Sequence, residues 1–101
     1  MAEPWLPFSV TVGPMQYAVR AVPELRAEDG QRLNGHILYG PCEIRIDAGL
    51  DPQVQRVTLW HEMLHAILTH AGHEDDAERV VEVLSYGLVA ALRDNPELAR
   101  Q

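Results

Sequence analysis

The sequence predicts an α+β domain in which a short, mostly antiparallel sheet of three or four strands packs on two long helices. Two observations predict it. Apolar residues recur at every second position in the first half of the chain, and at helical spacing in the second half. With 101 residues the chain is expected to form one domain, 1–101.

The strand region is predicted over about 8–47. Apolar and polar residues alternate over 8–12, 17–21 and 42–46, and glycines and prolines separate these runs. Asn34-Gly35 is typical of a tight hairpin turn. The connections are too short for crossover helices, which favours antiparallel pairing.

Two helices are predicted after the strands, over about 52–70 and 75–94. Asp51 is a suitable N-cap for the first, with Pro52 at its first helical position, and Gly72 is suited to end it. The second helix is expected to pack through an apolar stripe. Its members are Ala77, Val80, Val81, Leu84, Leu88, Ala91 and Leu92.

The first of these helices carries a motif, because residues 61–65 are His-Glu-Met-Leu-His. Two histidines one turn apart project from the same helix face, so His61 and His65 can bind one catalytic Zn²⁺. Glu62 is rotated by about 100° from His61, where its carboxylate can act on a water molecule as general base and acid. The neighbouring residues on this helix are uncharged. This favours a buried metal site over two histidines that lie one turn apart by chance.

Zinc in a catalytic site needs a third protein ligand. His70 and His73 do not have the spacing of the extended zincin motif. A glutamate on the second helix is the other common solution, with Glu78 favoured and Glu82 as second choice. Glu74 also competes for this role, and Asp75 and Asp76 are more remote candidates.

Composition excludes several classes of function. The net charge is −7 and the basic residues are scattered, so neither nucleic acid nor a membrane surface is an expected partner. Residues 1–10 lack a basic segment followed by an apolar run, so no signal peptide is expected. The single cysteine, Cys42, suits a reducing compartment. We therefore expect a cytoplasmic protein, and the sequence leaves its oligomeric state open.

The stretch from Ile44 to Pro96 resembles the small phage- and prophage-encoded zinc metallopeptidases of the minimal gluzincin type, akin to the ImmA/IrrE-like group. In that group the third ligand opens a Glu-x-x-Ala-Asn pattern on the helix after the motif. Glu78 takes that position here, although Val81 and Glu82 depart from the Ala-Asn pair. The resemblance therefore favours Glu78 over Glu82 and implies a zincin-like minimal domain. The matching segments are 44–47, 50–53, 58–67 and 92–96.

The motif and the resemblance together predict a zinc metalloendopeptidase that hydrolyses a cytoplasmic protein or peptide of phage or host origin. Zinc would be held by His61, His65 and Glu78, and Glu62 would be the catalytic residue. The alternative is a zinc-binding interaction or structural protein of a mobile element with little or no turnover. Two tyrosines, Tyr39 and Tyr86, are further candidates for donating a hydrogen bond to a reaction intermediate.

Overall fold

The computed structural model describes residues 6–73 and 78–100. It confirms the α+β class, with a four-stranded sheet followed by two helices. A short 3-10 helix follows the second helix. The elements are β1 (Ser9–Val12), β2 (Met15–Val22), β3 (Gly35–Leu38), β4 (Glu43–Asp47), α1 (Pro52–His70), α2 (Glu78–Asp94) and η1 (Pro96–Arg100).

The sheet is mixed, with the strand order β1-β2-β4-β3. The β1–β2 and β3–β4 pairs are antiparallel, as predicted, whereas β2 and β4 are parallel. A parallel pair requires a crossover connection, and residues 23–42 provide it with β3 in place of a helix. As a result β3 lies at one edge of the sheet.

One face of the sheet forms the core together with α1. Ile44 and Ile46 on β4 are completely buried, and Tyr17 on β2 is nearly so. Leu59 and Ala66 of α1 pack against them. Burial of each large aliphatic side chain among them contributes roughly 1.5–3 kcal/mol. The His-Glu-Met-Leu-His motif therefore lies on a helix that packs directly on the sheet.

One turn prediction and one strand prediction in this region are wrong. Gly35 does not form a hairpin turn with Asn34, because it is the first residue of β3. The actual β3–β4 turn lies at 39–42, and Cys42 adopts a positive φ of 56° there, not a strand conformation. Positive φ values are uncommon for residues other than glycine.

The predicted ends of α1 agree with the structure. The Asp51 carboxylate accepts a hydrogen bond from the Gln53 N–H at 2.8 Å, and Pro52 occupies the first helical position. Beyond the other end, Gly72 has φ +88° and the His73 N–H donates to the Leu68 carbonyl at 2.8 Å. This is a Schellman cap, which needs the left-handed conformation that glycine supplies.

The packing stripe of α2 differs from the prediction by a rotation of the helix. The buried residues are Val81 and Ser85, whereas Val80 and Leu84 are exposed. The reason is that α2 packs on α1 through the side of the helix that also carries Glu78. Residues 74–77, which include Ala77 and the predicted start of this helix, lie outside the described residues.

A buried carboxylate at the end of β4 holds the loop before β3. Asp47 accepts hydrogen bonds from the Gly49 N–H at 2.8 Å and from Arg32 Nε at 3.1 Å. The Gly49 bond is the largest cause of a lowered pKa for Asp47, and the Arg32 guanidinium adds to it against the opposing effect of burial. This ion pair fixes Arg32 at the rim of the cavity described below.

No helix among residues 6–73 and 78–100 combines the length and apolar character that a membrane span requires.

Candidate metal centre

The two histidines of the motif point to the same place, as their spacing predicts. His61 Nε2 lies 3.2 Å from His65 Nε2, and the ring centroids are 4.8 Å apart. Both side chains are largely buried, with exposed fractions of 19% and 24%. Helical spacing accounts for the close approach of the two nitrogens, because residues four apart lie one above the other.

Glu78 on α2 completes a group of three donors. Its Oε2 lies 2.7 Å from His61 Nε2, and its Oε1 lies 2.8 Å from His65 Nε2. Glu78 is the first residue of α2, and packing of α2 on α1 brings it over the motif. Among the described residues this is the only group of three or more such side chains suited to a metal ion.

The donor set fits a zinc ion. Two imidazole nitrogens and one carboxylate are a ligand set of catalytic zinc sites, which leave a fourth position open. Zinc ligands at about 2.0–2.1 Å in tetrahedral geometry lie roughly 3.3 Å from one another. The donor atoms here all lie within 4.8 Å of one another, so only small side-chain shifts separate them from that arrangement.

The other ligand candidates lie elsewhere or outside the described residues. Glu82 borders the same cavity as Glu78 but is not part of the donor group. His70, the last residue of α1, forms a hydrogen bond with the Tyr17 hydroxyl at 2.8 Å. His73 is exposed beyond the helix end. Glu74, Asp75 and Asp76 fall in the segment that the structure does not describe.

Glu62 lies next to the donor group but on the side of α1 that faces the sheet. Only 7% of the residue is exposed. Burial raises the pKa of its carboxyl group to about 7, and the nearby Glu78 carboxylate adds to this effect. A bound cation would oppose both effects. Glu62 is thus a carboxyl group that can accept and release a proton near neutral pH.

The raised pKa of Glu62 predicts an unusual pH dependence of stability in the metal-free protein. Below the unfolded-state pKa of about 4.5 the full stabilisation is present, and it is lost as the pH rises through the folded-state pKa of about 7. The loss is about 3 kcal/mol of unfolding free energy. Urea unfolding from pH 4.5 to 8 with a chelator measures it, and Glu62→Gln should remove it. The same pH dependence in both proteins would contradict this account.

The backbone of β3 passes unusually close to Glu62. A Cβ atom on Gly35 would lie 2.5 Å from Thr58 Cγ2 and 3.1 Å from Glu62 Oε2. Since the φ of Gly35 is not positive, close approach and not backbone conformation explains the glycine. Asn34-Gly35 has the sequence of a common turn, so the sequence did not reveal this role.

Gly35→Ala is therefore expected to displace Glu62 and to reduce any hydrolysis that depends on it by about 10- to 100-fold. Overpacking should also lower the unfolding free energy by about 1–3 kcal/mol. Adding Thr58→Ser removes the Cγ2 methyl group. The double variant should therefore recover much of the hydrolysis rate and much of the unfolding free energy. Gly40→Ala is the matched control, because nothing lies within 4 Å of its Cβ position. Equal effects of the two glycine changes would rule out the proposed contact.

A cavity of about 400 Å³ opens beside the donor group. His61, Glu62 and Glu78 border it together with Gly35 at the edge of the sheet. Tyr86 of α2 also borders the cavity. The hydroxyl of Tyr39 instead forms a hydrogen bond with Thr69 at 3.0 Å, and its ring packs edge-on against Tyr17. Of the two tyrosines suggested by the sequence, only Tyr86 lines this cavity.

Comparison with protein-family models, curated proteins and solved structures found no match to this chain. The resemblance to ImmA/IrrE-like peptidases that the motif and its flanking segments suggest therefore stays a prediction.

Proposed function

We propose that this protein is a zinc-dependent metalloendopeptidase. One observation carries the proposal. His61, His65 and Glu78 converge within 4.8 Å beside the buried carboxyl group of Glu62, at the wall of an open cavity. A metal site that only stabilised the fold would not require a buried proton acceptor next to it.

The residues of the chain have distinct roles in this proposal. A bound zinc ion would activate a water molecule and polarise the carbonyl group of the scissile bond. Glu62 accepts the proton of the attacking water and returns it to the leaving amine. His61, His65 and Glu78 would hold the ion.

The edge strand β3 provides a surface for an extended peptide. The Asp47 N–H donates to the Asn34 carbonyl at 2.8 Å, and Gly35 lies opposite Ile46. In an antiparallel pair the hydrogen-bonding direction alternates, so Gly35 and Ile37 direct their main-chain groups to the free edge. A substrate peptide could pair with this free edge as an additional strand, and its backbone could then run past Glu62. The proposed substrate is accordingly a protein or peptide, and a phage- or host-related cytoplasmic target follows from the resemblance alone.

The test is hydrolysis of a mixed peptide library by purified protein, followed by mass spectrometry. We expect cleavage with one equivalent of zinc, loss of cleavage after chelation, and recovery when zinc but not Mg²⁺ is added back. Zinc binding without cleavage of any peptide or of denatured casein would favour the alternative, a metal-binding protein without turnover. Absence of zinc binding would overturn both.

A further inference from the structure

The second helix has an apolar face that its own fold leaves exposed. Among the described elements α2 contacts α1 and η1 but not the sheet. Val80, Val83 and Leu84 are 54%, 62% and 49% exposed. Helical rotation places them roughly opposite Glu78, with Gly87 and Ala91 continuing the same side. We call this set of residues the outer face of α2. Its members are Val80, Val83, Leu84, Gly87 and Ala91.

The spacing on the outer face is that of a helix-packing seam. Val80, Leu84, Gly87 and Ala91 are separated by four, three and four residues, as are the core positions of a heptad pattern. The large residues lie in the first half of the helix and the small ones in the second half. No atom lies within 4 Å of the Cβ position of Gly87, so contacts within this chain do not require a glycine there.

This order of sizes is self-complementary only for an antiparallel second copy. With a two-fold axis near the middle of α2, Val80 of one chain meets Ala91 of the other, and Leu84 meets Gly87. Each large side chain then fills the space left by a small one, in both halves of the pair. An interface in which the same surface serves both chains is the ordinary form of a two-fold dimer.

The charges at the two ends of the helix agree with the same pairing. Arg79 precedes the outer face and Asp94 ends it, and both lie on the same flank by helical rotation. In the antiparallel arrangement Arg79 of one copy lies within about 3 Å, measured along the axis, of Asp94 of the other. Two such pairs form by symmetry. A parallel arrangement would place like charges together.

We infer that the outer face of α2 is a homodimer interface, formed by antiparallel packing against α2 of a second copy of this chain. Helices of 17 residues are about 25 Å long, and their pairing buries on the order of 1,000 Å² in total. That area is near the lower end for specific interfaces, so the dimer is weak and concentration-dependent. Glu78 lies on the opposite side of α2 from the interface, so the cavity beside the donor group stays open in both copies.

Sedimentation equilibrium of the full chain from about 1 to 300 μM tests the inference. The expected result is a reversible monomer–dimer equilibrium with a micromolar dissociation constant. Leu84→Glu should raise that constant at least about 100-fold, since it buries a charge. Phe8→Glu is the matched control just before β1, where Phe8 is 96% exposed, and should leave the constant unchanged. A monomer at every concentration would overturn the inference.

Three further variants distinguish the proposed packing from nonspecific hydrophobic association. Gly87→Leu adds apolar surface but blocks the approach of Leu84 from the second copy, so dimerisation should weaken about 10-fold or more. Stronger self-association of this variant would contradict the proposed packing. Arg79→Asp should weaken the dimer several-fold, and adding Asp94→Arg should restore it. Failure of the double exchange to restore dimerisation would exclude the antiparallel arrangement. These exchanges are on the surface, so they remain informative even if Leu84→Glu fails to fold.

Discussion

Glu62→Gln is expected to lower the rate of peptide hydrolysis by about 100- to 10,000-fold while the protein still binds one zinc ion. Glutamine has almost the same shape as glutamate, so it can occupy the same buried position without opening a cavity. It cannot accept a proton, however, and the proposed reaction begins with proton transfer to this side chain. The geometry places Glu62 outside the donor group, so zinc content should not change.

Hydrolysis of a reporter peptide and zinc content by mass spectrometry are measured on the same preparation. Glu82→Gln is the matched control, because Glu82 is a carboxylate that borders the same cavity. It should change the rate by no more than a few-fold. Hydrolysis by the Glu62 variant at the wild-type rate would remove this residue from the mechanism.

Glu78→Ala is expected to weaken zinc binding by more than about 100-fold. Loss of even an outer partner of a metal ligand costs roughly 10–100-fold in affinity, and Glu78 supplies a direct donor. The remaining two histidines, one turn apart on α1, provide only two of the three protein ligands that a catalytic zinc site uses.

Competition with a chromophoric chelator at pH 7 gives the zinc affinity of each variant. Glu82→Ala removes the same kind of side chain one turn further along α2 and should have little effect. His73→Ala is a second control for the exposed histidine beyond α1. If Glu82→Ala weakens binding and Glu78→Ala does not, the third ligand has been assigned to the wrong turn of the helix.

Local patterns account for the features that sequence reasoning predicted well. The spacing of His61 and His65 fixes their common direction on any helix, and Asp51 with Pro52 fixes where that helix begins. Glu78 was a harder case, because its position depends on how α2 is rotated against α1. The predicted stripe included Val80 and Leu84, yet Glu78 reaches the histidines with the helix packed through Val81 and Ser85.

The features that were missed depend on contacts between distant parts of the chain. Gly35 is adjacent to Glu62 only because β3 lies against α1, and its sequence neighbour Asn34 suggests a turn instead. The parallel pairing of β2 with β4 likewise requires β3 to fit into their connection, which no local pattern reports. Sequence periodicity indicates which side of an element is apolar, but not which partner covers it.

The attachment of α2 to a single helix has a consequence for the chemistry of the centre. Because Glu78 is carried by an element that packs on α1 and not on the sheet, ion binding would be thermodynamically coupled to the packing of α2 on α1. A bound ion would cross-link the two helices, and its measured affinity would include any free energy needed to bring them together. A substitution such as Val81→Ala, which removes no donor atom but truncates a side chain buried between α2 and α1, would then weaken ion binding by loosening the packing that positions Glu78.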